Sequence, residues 1–296
     1  MENYQKGISL LYKPVRFLQP CGAKINLSLR VTSLRPDGYH NILSLFLRLP
    51  SAEMLSISPA SEGDSDKISV RGMEIEGENI VTRALRLARE AGVDVPFLEV
   101  EISKTLPPGS GLGAGSGNGA AMLRWLCGIV DDDRLWREIA LKTGADVPFL
   151  FSGVSLARVS GAGEELKPLD PVALHVWVVF PDWSVGTENA YARLDHWYKN
   201  RYPLDEAAAQ EESRMLLRRL RHREPIGFLP NDFAPELLEK FPEYKEIFSV
   251  LEKSGSCAWG ITGSGGAAFA LFYDAPSPLR SPWPRRVQRV FSVEIR

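Results

Sequence analysis

Apolar and polar residues alternate loosely over residues 23–33, in a stretch rich in Ile, Leu and Val, and this spacing predicts a strand. Shorter runs of the same kind predict strands over 42–49, 54–58 and 67–71, with Pro36-Asp37-Gly38 as a turn between the first two. Asn79 precedes Ile80, Ala84, Leu87 and Ala88, which share one helical face, and Gly92 follows them. A capped helix ending at a left-handed glycine is expected there. Residues 97–103 read as another strand. The apolar stretch 120–130 reads as a buried helix, and Asp131-Asp132-Asp133 caps the next one, over 135–143. Strands are expected at 155–159 and 173–180, the second apolar enough to be central. Helices over 188–198, 206–223 and 235–253 follow, and a strand–loop–strand unit over 257–272 is centred on Gly263-Ser264-Gly265-Gly266.

These elements mix strands and helices without a regular β-α-β-α rhythm, which predicts an α+β fold in two lobes. The boundary is expected within 161–170, dividing the chain into 1–165 and 166–296. The length of 296 residues agrees, at ~150 residues per domain. With 35 basic and 37 acidic residues the formal net charge is −2, which gives a polyanion such as DNA no reason to bind. A hydrophobic content of 44% with 24% charged residues is that of an ordinary globule, and excludes disorder, collagen and membrane spanning. Cys21, Cys127 and Cys257 lie far apart, so a reducing compartment is expected rather than a disulfide framework. His40, His175, His196 and His222 form no zinc motif. Lys6, Lys13 and Arg16 interrupt the apolar stretches of the first residues, so no signal peptide is expected and the location expected is the cytoplasm. Arg214, Arg218, Arg219, Arg221 and Arg223 spread around more than one helical face behind Glu211 and Glu212, the pattern of a solvated helix rather than a nucleic-acid site.

The segment from Leu106 to Gly119 is mostly glycine and small residues. Glycines let a backbone approach a ligand with no Cβ in the way, and a helix starting near Ser116 would aim its free N–H groups into the loop. A phosphate cradle is the functional reading; a flexible surface loop is the alternative, but such loops rarely join an apolar strand to an apolar helix. No lysine follows these glycines as the Walker A loop requires. Gly109-Ser110-Gly111-Leu112-Gly113-Ala114 fits a relaxed dinucleotide pattern, but Thr105-Leu106-Pro107-Pro108 separates it from its strand and no βαβ crossover flanks it.

Pro108 to Ser116 resembles the second motif of the GHMP kinase superfamily, and Thr262-Gly263-Ser264-Gly265-Gly266 resembles its third. The runs 23–27 (AKINL), 35–40 (RPDGYH), 144–149 (GADVPF) and 231–233 (NDF) are similar to the branch whose acceptor is a cytidine diphosphate-linked polyol of the non-mevalonate route to isoprenoid precursors. The resemblance implies a ribosomal-protein-S5-like N-terminal lobe, a ferredoxin-like C-terminal lobe and an active site between them. Homoserine- or mevalonate-type kinases, or a nucleotide-binding homologue that has lost catalysis, are the alternatives. Where the family has Pro-Ala-Lys this chain has Gly22-Ala23-Lys24. Where the family loop reads Gly-Ser-Ser-Asn-Ala it has Gly115-Ser116-Gly117-Asn118-Gly119. The extra glycines are expected to make the loop floppier.

The resemblance further implies a Lys24–Asp146 catalytic pair, with Asp146 as base and Lys24 stabilising developing charge. Apart from the resemblance, Lys24 reads first as a strand-edge lysine and Asp146 as the cap of a turn before Pro148. ATP would lie on Pro107, Gly109, Ser110, Gly111, Leu112, Gly113, Ala114, Gly115 and Ser116, with Mg²⁺ held mainly by its phosphates and no acidic metal cage. Asn26, two residues from Lys24, shares its strand face and would contact the substrate hydroxyl or support Lys24. Tyr39, His40 and Tyr191 would form a cytosine platform. Thr187 would meet the phosphate or diol end, and Gly263, Ser264 and Gly265 would wall the diphosphate and methylerythritol portion. Small molecules alone are expected as partners, with a monomer or weak dimer in solution.

Overall fold

The computed structural model describes residues 16–60, 64–73, 77–183, 185, 190–277 and 283–295. Two long strands, β1 (Phe17–Leu34) and β2 (His40–Pro59), form an antiparallel hairpin on which the rest is assembled. The two strands expected over 42–49 and 54–58 are thus one. Pro50 lacks the N–H a ladder needs, but it falls where the register shifts between Cys21↔Glu53 and Ala23↔Leu49, so β2 passes through the irregularity without breaking. The second half of β2 pairs with β4 (Leu98–Ser103), which pairs in parallel with β3 (Lys67–Arg71). Its first half pairs with β5 (Leu156–Gly161), and β5 with β6 (Glu165–Leu169). One face of this sheet is covered by α1 (Ile80–Glu90), α2 (Ala114–Leu126), α3 (Asp133–Thr143) and α4 (Val147–Ser152). Asn79 caps α1, and Asp132, within the acidic triplet, caps α3 by accepting from the Leu135 amide at 3.0 Å.

The second sheet has the order β11-β7-β10-β9-β8, comprising β7 (Leu174–Pro181), β8 (Gly227–Phe228), β9 (Ala258–Ile261), β10 (Ala268–Phe272) and β11 (Val287–Ile295). It carries α5 (Ala190–Tyr198), α6 (Glu206–Arg221), α7 (Ala234–Lys240) and α8 (Tyr244–Lys253). The single helix expected over 235–253 is two, α7 and α8, because Pro242 cannot continue a helix. The strands β6 and β11 were not foreseen. The expected lobe boundary at 165/166 falls at the first residue of β6, which pairs with β5, so sheet membership changes after Leu169 rather than there.

Between the lobes, Ala23, Ile25 and Leu27 of β1 point one way, into a core shared with Val176 and Val178 of β7 and Phe269 of β10. By the two-residue period of a strand, Lys24 and Asn26 share the other face, Lys24 lying over the Phe46 ring and Asn26 meeting Ser44, Thr262 and Gly263. The Asn231-Asp232-Phe233 segment fastens the second lobe to this strand. Asp232 accepts from the Val31 amide (2.8 Å) and from Arg30 (2.6 Å), while Asn231 donates to the carbonyls of Ile261 and Gly263, both at 2.9 Å. Four of the five arginines of the α6 cluster, all but Arg218, are spent in surface ion pairs with Glu211, Glu224, Asp170 and Asp274, as a solvated helix requires. Among the described residues no helix is long and apolar enough to cross a membrane.

Candidate active site

The glycine segment leads from β4 into α2, which begins at Ala114, two residues earlier than expected. Its cap, Gly113, is left-handed (φ 63°) and supplies no side chain, so the first amides of the helix are free to meet a ligand. A Cβ on Gly113 would stand 2.9 Å from Asp146 Oδ2 and 3.2 Å from Lys24 Cε. Only glycine lets the loop lie against those two side chains. The beginning of the loop is anchored by a residue the sequence did not single out. Buried Glu53 accepts from Lys104 Nζ (2.6 Å), Asn118 Nδ2 (2.9 Å) and the amides of Thr105 and Leu106 (both 3.1 Å). No local pattern marks Glu53, because its four donors come from elsewhere in the chain.

The glycines that depart from the family pattern do not loosen the loop, contrary to expectation. Gly117 and Gly119 are buried inside α2. A Cβ at 117 would lie 1.9 Å from the carbonyl oxygen of Gly22, and one at 119 would press on Ile80 and Thr143 at 3.1 and 3.2 Å. They allow α2 to seat directly on β1 and its neighbours. Gly22 itself leaves room for the Arg48 guanidinium, whose Nε would be 3.2 Å from a Cβ there.

Lys24 is 4% exposed, and its ammonium donates to Asn26 Oδ1 (2.8 Å) and Gly111 O (3.0 Å), lies 5.1 Å from the centre of the Phe46 ring, and faces Asp146 Oδ2 at 3.5 Å. Asp146 occupies the cap position of α4 but makes no capping hydrogen bond; its carboxylate turns to Lys24 instead. Asn26 Oδ1 also accepts from Thr262 Oγ1 (3.3 Å) and the Gly263 amide (2.9 Å), and its Nδ2 donates to Ser44 (2.9 Å). Both ends of the Asn26 amide are thus engaged within the protein, which favours the second of its two expected roles, support of Lys24. Thr262, absent from the sequence-based site, ties the second lobe to β1 and the loop: its hydroxyl accepts from the Asn26 amide at 3.1 Å and shares its single proton between Asn26 Oδ1 and Gly111 O.

A cleft of about 750 Å³ is lined by Lys24, Asp146, the whole run from Leu106 to Ser116, Gly263 and Ser264, with Met73, Ile80 and Lys104 along its wall. Gly265 is not on this wall. A Cβ there would point 2.7 Å from Leu237, so this glycine serves the packing of the turn. Gly266 packs against the back of the loop, where a Cβ would meet Gly109 O at 2.1 Å, and the Ala267 amide donates to Ser110 O at 3.0 Å.

The aromatic residues are brought together only in part. His40 is buried and stacks on Tyr191 with centroids 4.7 Å apart. Tyr191 is 38% exposed, while desolvation, and then the charge of Asp146, push its phenol up to about 12. Tyr39, at the hairpin tip, is 65% exposed. Of the expected platform, His40 and Tyr191 are stacked on each other, and Tyr39 stands apart from them at the surface. Thr187 lies outside the described residues.

Comparison with known proteins agrees with this architecture. The family model of the GHMP kinases N-terminal domain matches residues 79–153, and that of the GHMP kinases C-terminal domain matches 207–287. A 4-diphosphocytidyl-2-C-methyl-D-erythritol kinase of Porphyromonas gingivalis is 35% identical over 86% of this chain and 91% of its own length. One from Chlorobaculum tepidum is 32% identical over 84% and 87%. A crystal structure of 4-(cytidine 5'-diphospho)-2C-methyl-D-erythritol kinase superposes with a TM-score of 0.69 at 30% identity, covering 87% of this chain and 90% of that one. A homoserine kinase of Cytophaga hutchinsonii, at 17% identity and a TM-score of 0.60, shares the fold. With both domain models matched and relatives at this identity aligned over most of their length, the chain belongs to the GHMP kinase family, and within it to the 4-diphosphocytidyl-2-C-methyl-D-erythritol kinases.

Proposed function

We propose that the chain transfers the γ-phosphoryl group of ATP to the 2-hydroxyl of 4-diphosphocytidyl-2-C-methyl-D-erythritol, in the cytoplasm and with no macromolecular partner. The observation that carries this reading is the 3.5 Å approach of Lys24 and Asp146 at the edge of a glycine cradle, inside one cleft. Phosphoryl transfer asks little covalent chemistry of a protein; it needs the triphosphate held, developing charge met and the alcohol placed. The free amides at the start of α2 and the bare backbone of Gly109 to Gly115 hold phosphate oxygens. Met73, Ile80 and Leu106 give the purine an apolar wall. Mg²⁺, when bound, neutralises charge on the phosphates; they and water supply most of its ligands, with the Ser116 hydroxyl at hand.

Asp146 accepts the hydroxyl proton as the oxygen bonds to the γ-phosphorus. The bond from that phosphorus to the β–γ bridging oxygen breaks, and ADP leaves. Lys24 has three N–H donors and spends two on Asn26 and Gly111, which leaves one for Asp146 or the transferring group. Asn26 and Thr262 keep the ammonium there. Tyr39 and His40 hold the cytosine, the exposed Tyr39 ring turning onto its face, and Tyr191 supports that site by backing the His40 ring.

ADP release with the cytidylyl polyol, mevalonate and homoserine as separate acceptors tests the reading. Turnover of the first alone is expected; turnover of either competitor with none of the cytidylyl compound rejects the assignment. Tyr39→Ala should raise the KM of the cytidylyl substrate about tenfold or more, the cost of a lost stacking face, and leave the KM of ATP unchanged. Equal effects on both would remove Tyr39 from the base site.

A further inference from the structure

His40 is held by a partner the reaction does not call for. Its Nε2 lies 2.8 Å from Asp195 Oδ1, on α5, and Tyr202 donates its hydroxyl to the same oxygen at 2.6 Å. The ring plane is fixed as well, by Tyr191 on its face and by the edge of Tyr202, with centroids 6.0 Å apart. An ionised carboxylate only accepts, so the nitrogen facing it carries a proton. Desolvation first, and then the neighbouring Asp195, raise the pKa of the Tyr202 phenol, so it stays a donor and cannot take that proton's place. In the neutral ring the other nitrogen, Nδ1, is therefore left as a bare acceptor, and among the described residues it has no hydrogen-bond partner.

We infer that Asp195, seconded by Tyr202, is a positioning residue that sets the tautomer of His40 and so makes the enzyme choose cytosine over uracil. The inference rests on the proposed placing of the base beside His40. The two pyrimidines differ at one exocyclic position: cytosine carries an amine that donates, uracil a carbonyl that accepts. An Nδ1 acceptor satisfies the first and opposes the second. A site built to accept a hydrogen bond rejects the ligand that cannot give one far more strongly than an apolar pocket rejects an extra methylene. The opposite tautomer, with hydrogen on Nδ1, would reverse the choice, so the geometry of a residue remote from the phosphates decides which nucleotide-linked polyol is used.

Two measurements test this on the intact enzyme. The ¹⁵N shifts of the His40 imidazole, recorded at pH 8 without substrate, should show protonation on Nε2 and a bare Nδ1; the reverse pattern overturns the inference and leaves the kinase assignment standing. In kinetics, Asp195→Leu should lower the ratio of kcat/KM for the cytidylyl over the uridylyl substrate at least tenfold, mostly through KM, with kcat and the KM of ATP nearly unchanged. Asp195→Asn, which keeps an acceptor oxygen for both Nε2 and Tyr202, should retain most of the ratio. A ratio that Asp195→Leu leaves intact, or that both variants lower equally, overturns the inference. Absence of any turnover of the cytidylyl substrate by the wild-type chain would instead overturn the function on which it rests.

Discussion

Asp146→Asn is expected to lower kcat by at least ~10²-fold, the usual worth of a positioned proton acceptor, while ATP binds as before. The structure makes this variant unusually clean. Asp146 stands at the start of α4 yet makes no capping hydrogen bond, so the amide removes no support from that helix. It is nearly the same size, so the contact with Gly113 survives. What it removes is a proton acceptor 3.5 Å from the Lys24 ammonium and the charge that helps hold that ammonium. Single-turnover rates and calorimetric titration with a non-hydrolysable ATP analogue separate the chemical step from binding. A kcat within threefold of wild type would take Asp146 out of the reaction and leave Lys24 to act on the phosphates alone. Thermal unfolding of the variant should match that of the parent, which guards against a trivial loss of folded protein.

Gly117→Ala should destabilise the protein by about 3 kcal/mol, the upper end of what overpacking costs. The new methyl would be driven to 1.9 Å from Gly22 O, and that atom belongs to the backbone of β1, which cannot turn aside as a side-chain tip does. For a chain of this size the melting temperature should fall by ~6 °C or more. Gly115→Ala, in the first turn of the same helix, is the control: nothing lies within 4 Å of its Cβ, so stability should hold or rise slightly. Equal melting temperatures for the two variants would mean that α2 does not rest on β1 at that point. Activity should follow stability in the first variant, because the start of α2 is also the phosphate cradle and is carried by the same contact.

The glycine run, the capped helices and the central strand 173–180 were legible in the sequence because each follows from residues close together along the chain. The break between α7 and α8 is local in the same way, since it falls at Pro242. The strands β6 and β11 lack an apolar run; they are edge strands, half exposed, and their pairing with β5 and β7 rather than their composition makes them strands. The glycines at 117 and 119 misled for a related reason: glycine reads as looseness along a chain, and as close packing once a neighbouring backbone is present.

The residues of the site divide in the same way. The sequence by itself determined the chemistry on offer: a bare-backbone phosphate loop, a lysine and an asparagine sharing one strand face, an aspartate ahead of a proline, and tyrosine and histidine after a turn. Only the tertiary structure decided which of them act together. Asn26 meets Thr262 across 236 residues, Glu53 gathers four donors at the root of the loop, Asp195 takes His40, and Asp146 forgoes its helix to face Lys24. A hydrogen bond or ion pair depends on a few tenths of an ångström between atoms, and that separation is fixed by how sheets and helices stack. No local pattern along the chain encodes it.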